Sequence, residues 1–147
     1  MISIDTYVYH KKEGMFFPIN DCPMIDICHL PGRFEFLEGC ISIQYYGSEI
    51  LGKDYWDDII PLWKNIIDGA ETYAINGSTT IFFPDSGNEL KLNPANKSQI
   101  IFSLNNQRCC LPQKDFFYAL LEAGKQFFRW LEDEIYVQKC KELIHHL

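Results

Sequence analysis

Basic residues are scarce in this chain and they are scattered. Thirteen Lys and Arg stand against 20 Asp and Glu, and Lys11-Lys12 is the only adjacent pair. A net charge of −7 repels phosphate backbones, and with no basic patch to offset it, a nucleic-acid partner is not expected. Long apolar runs are missing as well. No stretch approaches the ~18 residues that a membrane-spanning helix needs. The opening Met1-Ile2-Ser3-Ile4-Asp5 has neither the basic nor the apolar region of a secretory signal. No membrane association is expected, and the six cysteines then belong to a cytoplasmic protein with reduced thiols.

Catalytic signatures are also absent. The sequence has no G-x-G-x-x-G, no G-x-x-x-x-G-K-[ST], no H-E-x-x-H and no G-x-S-x-G. Kinase, nucleotide-binding, zincin and nucleophile-elbow readings therefore have no motif to rest on, and no cofactor is expected. Aromatic residues, by contrast, are plentiful. Eleven Phe, eight Tyr and three Trp exceed what a core of this size needs, which places some of them at a surface or an interface.

A chain of 147 residues with 47% hydrophobic and 22% charged residues reads as a single globular domain, 1–147. Residues 2–9 alternate, with Ile2, Ile4, Thr6 and Val8 on one face and Ser3, Asp5, Tyr7 and Tyr9 on the other, as in a half-buried strand. A short return strand, 15–17, ends at Pro18. Residues 20–32, with Pro23 and Pro31, read as a loop long enough to carry function. A hairpin about Glu38-Gly39 is expected next.

Apolar residues at three-to-four spacing then predict a helix over 57–69, with Asp57 or Asp58 as N-cap, Pro61 in the first turn and Gly69 at the end. Asn76-Gly77 signals a hairpin joining 72–75 to 79–83. A meander follows, with turns at 84–88, 93–96 and 105–106. The strongest pattern in the chain is the helical stripe over 112–135. Phe116/Phe117, Leu120/Leu121, Phe127/Phe128 and Trp130/Leu131 flank the small Ala123/Gly124. Gly124 is expected to admit a close neighbour, the helix of Trp56 and Trp63. A break near 132–136 precedes a short last helix. The fold class is α+β: a mainly antiparallel sheet of six to nine strands, packed on one face by two main helices.

Three constellations bear on chemistry. Cys22, Cys28 and His29 share the 20–32 loop, but C-x₅-C-H without a second knuckle is not zinc spacing, so no metal is expected. Asp54, Asp57 and Asp58 beside Tyr55 and Trp56 resemble the paired carboxyls of glycoside hydrolysis, yet helix capping accounts for them more simply. Tyr7 and Tyr9 lie on the outer face of the first strand, for a partner or for one of the chain's own helices to cover. The expected function is a non-enzymatic protein-interaction module with an acidic, aromatic surface made by Tyr7, Tyr9, Asp54, Tyr55, Asp57 and Asp58. Its partner would be another, basic protein, neutralised in the manner of immunity-type proteins. The alternative is a small hydrolase or ligand-binding domain using Cys28 or His29. Should the last helix project, its Val137/Cys140/Ile144 stripe would call for a homodimer.

Overall fold

The computed structural model describes residues 1–21 and 37–147. Among these, nine strands and three α-helices form the α+β arrangement, with every strand pairing antiparallel. The strands divide between two sheets rather than joining in one.

The first sheet has the order β2-β1-β3-β4, from β1 (Ile2–His10), β2 (Met15–Pro18), β3 (Glu38–Tyr45) and β4 (Ser48–Leu51). The short β5 (Asp57–Asp58) pairs with the start of β3. The second sheet is a meander, β6 (Thr79–Phe82), β7 (Glu89–Asn96), β8 (Gln99–Leu104) and β9 (Gln107–Pro112). The alternation along β1 falls as its pattern dictates. Thr6 and Val8 are buried, while Tyr7 and Tyr9 stand half-buried on the other face.

Helix α1 runs from Ile59 to Asn76, well past the end expected at Gly69. Gly69 stays inside the helix because a neighbour needs the space: a Cβ there would lie 2.5 Å from Ile81 Cγ1 of β6. Residues 72–75 are helical, not a strand, since buried Tyr73 continues the row of Ile66, Ile67 and Ala70. Asn76-Gly77 therefore stops a helix instead of turning a hairpin. Gly77 takes φ 82° and donates its N–H to the Tyr73 carbonyl.

Two other turns also shift. Glu38-Gly39 lies within β3, where a Cβ on residue 39 would lie 2.6 Å from the Tyr7 carbonyl and 2.8 Å from Ile59 Cβ. The turn expected at 93–96 is strand, and Lys97-Ser98 turns instead. The 34–36 part of the expected hairpin lies outside the described residues.

Helix α2 (Gln113–Leu131) buries both rows of its stripe. Phe116 meets Phe102 of the second sheet edge to face at 5.9 Å, and the same helix packs on β1 of the first. Helix α1 likewise serves both sheets. Gly69 sits against Ile81, and the Trp63 indole N–H donates to Thr6 Oγ1 on β1 at 3.1 Å. The helices meet at Gly124, where a Cβ would lie 2.8 Å from Ile67 Cδ1 and 3.1 Å from Trp63 Cζ3. Trp63 is fully buried and stacks on Phe127. A large side chain so buried stabilises the fold by roughly 1.5–3 kcal/mol. Trp56 takes no part in this contact.

The break after α2 falls where it was expected and shows why acids occupy it. Glu132 adopts the left-handed conformation (φ 65°), and Asp133 caps α3 (Glu134–His145) by accepting from the Tyr136 N–H at 3.1 Å. The last helix does not project. Val137 and Cys140 are buried within the chain. The Tyr136 hydroxyl and the Lys139 ammonium donate to Asp68 of α1, and Lys139 also pairs with Glu71. The stripe that called for a second copy is thus packed on α1 and α2 of its own chain.

Candidate functional site

Residues 53–58 connect the first sheet to α1, as a 3-10 turn (Lys53–Tyr55) followed by extended Trp56 and β5. Asp57 fixes this connection. Its side chain is 1% exposed, and its two oxygens accept three backbone N–H groups: Asp58 at 2.6 Å, Asp85 at 2.9 Å and Ser86 at 2.9 Å. The last two donors belong to the turn between β6 and β7, so one carboxylate ties the start of α1 to the second sheet. The Tyr55 ring lies edge-on to Phe83 at 6.5 Å, which closes the same contact.

Asp58 holds the N-cap position but makes no capping hydrogen bond. Its Oδ1 accepts instead from the Leu37 N–H at 3.4 Å. The capping account of these acids is thereby corrected: Asp57 organises a turn and Asp58 meets the start of β3. Burial, with Asp57 and Asp85 close by, raises the Asp58 carboxyl above the usual range, although the Leu37 N–H pulls the other way. Buried to 1% exposure and with both oxygens engaged by amides, Asp57 presents no face to a glycosidic substrate.

Around this anchor stand groups that face solvent. Asp54 and Asp85 are exposed, and Trp56 is 45% exposed although it is the kind of side chain a core would take. Asp85 is the member that the sequence does not bring forward, since it reads as part of a polar turn. Trp56 stands out beside the acids but is not counted among the expected contact residues.

Tyr7 joins the patch and Tyr9 does not. The Lys53 ammonium lies 5.5 Å from the centre of the Tyr7 ring, linking it to the 53–58 segment. Tyr9 packs on Phe16 at 5.3 Å, towards the other edge of the sheet. Cys40, opposite Tyr7 on the neighbouring strand, is fully buried, and burial pushes its thiol up to about 11 against the opposing pull of Lys53.

Cys28 and His29, and with them most of the 20–32 loop, lie outside the described residues. Among the described residues, no three His, Cys, Asp or Glu side chains converge as metal ligands. No helix among them is long and apolar enough to cross a membrane.

Fold and site together define an α+β fold with two antiparallel sheets sharing one helix pair, tied to each other where the Asp57 carboxylate of the 53–58 segment meets the turn after β6. No protein-family model matches the chain, nor does any curated protein or solved structure.

Proposed function

We propose that this chain is a protein-interaction module whose docking face is the 53–58 segment with Asp85 and Tyr7 beside it. Its partner is a basic protein that it covers and neutralises, as immunity-type proteins do. The observation that carries this reading is the half-exposed Trp56 in one segment with Asp54 and Asp58, to which buried Asp57 ties the turn of exposed Asp85. Tryptophan is the side chain most favoured as a binding anchor. A preorganised loop keeps the ordering cost of association low. Acids around the anchor steer a basic partner and reject acidic ones. The partner is a different protein rather than a second copy docked through the last helix, because Val137 and Cys140 already pack within the chain.

The test is capture from the native host with the wild-type chain and a Trp56→Ala/Asp54→Lys variant as paired baits. A basic protein retained by the wild type and lost by the variant is expected. Equal retention by both baits, or retention of nothing at micromolar bait, overturns the proposal.

A further inference from the structure

A second site lies away from this face, where the C-terminal half of α1, the start of α2 and the end of α3 surround a cavity of about 600 Å³. That volume is in the range of small-molecule sites. Ala70, Tyr73, Phe117 and Leu121 line it, all of them buried, and Leu143 closes it from α3. The lining is therefore chiefly apolar.

Of the polar groups on this lining, Gln113, Lys97 and Lys114 offer donors, while Asn96 accepts from the Ser98 N–H and His146 stands at the end of α3. The Tyr73 hydroxyl donates to Gln113 Oε1 at 2.8 Å, which leaves the two N–H groups of that amide to offer. Lys97 and Lys114 stand exposed at the rim, and neither has an ion-pair partner among the described residues. No Asp or Glu side chain lines the cavity, in a chain where acids outnumber bases 20 to 13. Helices α1 and α3 end here and α2 begins here, so the helix ends leave a small negative bias, and the chain-terminal Leu147 carboxylate adds to it; the two lysine charges stand against both.

From this juxtaposition of an apolar cavity and a rim of lysine and amide donors that no Asp or Glu side chain joins, we infer a binding site for a small amphipathic anion of the fatty-acid class. Its hydrocarbon tail lies against Phe117 and Leu121, and its head group accepts from Gln113, Lys97 and Lys114. The inference does not depend on the protein-binding face, which lies on other residues, so either can fail alone.

The experiment is titration calorimetry with decanoate below its micelle concentration, against decyltrimethylammonium as the cation of equal tail. Decanoate should saturate at one per chain and bind at least about tenfold more tightly than the cation. The Lys97→Glu/Lys114→Glu variant, altered only at exposed positions, should lose at least about tenfold in decanoate affinity while keeping its circular dichroism and melting midpoint. Ala74→Trp, on the exposed wall of the cavity, should abolish binding of decanoate. The inference is overturned by absence of decanoate binding up to millimolar concentration, by equal affinity for the cation, or by undiminished decanoate affinity in the lysine variant.

Discussion

Asp57→Ala removes the acceptor of three backbone N–H groups at once, and its effect can be worked from the geometry. Each hydrogen bond to a charged group contributes roughly 1.5–3 kcal/mol net, so three would amount to roughly 4.5–9 kcal/mol if none were replaced. Two of the donors, Asp85 and Ser86, belong to an exposed turn and can turn to water once the carboxylate is gone. Only the Asp58 N–H, in a half-buried place, stays poorly served. The expected loss is about 3 kcal/mol, which for a domain of this size lowers the melting midpoint by roughly 6–12 °C. Asp57→Asn should lose somewhat less, because one oxygen survives while an NH₂ group faces a backbone donor. Asp54→Ala is the control, an exposed carboxylate expected to stay within about 0.5 kcal/mol of wild type. Urea denaturation followed by tryptophan fluorescence and circular dichroism measures all three, with an unchanged slope confirming the same unfolding reaction. If Asp57→Ala falls within 1 kcal/mol of wild type, or Asp54→Ala is equally damaging, the anchoring role is refuted.

Other perturbations probe the remaining features. Gly124→Ala gains about 1 kcal/mol of helix propensity but forces Trp63 and Ile67 apart, and overpacking costs roughly 1–3 kcal/mol, so a net loss of about 1 kcal/mol is expected in the same denaturation assay. Among the four described cysteines, thiol labelling read by mass spectrometry should modify exposed Cys110 first. Cys40 and Cys140, whose thiols burial pushes up to about 11 and about 12, should wait for unfolding, and their fast labelling in the native protein would contradict the packing. Asp58→Asn tests the raised carboxyl. Ionising Asp58 costs more in the folded chain than in the unfolded one, so the wild type loses stability as pH rises through the window above the usual carboxylate range and does not regain it. The variant should gain on wild type between pH 3 and pH 7, and a gain that grows on acidification instead would reverse the sign.

What the sequence disclosed followed from local periodicity. The alternation of Ile4, Thr6 and Val8, the double row of α2 and the break at Glu132-Asp133 each declare themselves within one or two turns of chain. The departures come where distant residues decide. Asn76-Gly77 supplies a left-handed residue that serves a helix stop as well as a hairpin, and Tyr73 finding a buried place chose between them. Gly39 and Gly69 look like punctuation, yet they are openings for Ile59 and Ile81. Division into two sheets is invisible to a pattern of period two, which assigns faces and not partners. At the candidate site the acids at 54, 57 and 58 were visible as a group. Their different duties were not, because the donors that commit Asp57 stand 28 and 29 residues further along.

The sharing of α1 and α2 between the sheets also orders events in time. The second sheet closes through three short connections within residues 79–112, so its search is brief. Strand β1 must instead find β3 across an intervening stretch, seat Thr6 under Trp63, and wait for α2, which lies more than a hundred residues later. Closing such loops is slow relative to a meander. Destabilising changes in 79–112 should therefore slow folding, while changes at Thr6 or Val8 should mainly speed unfolding.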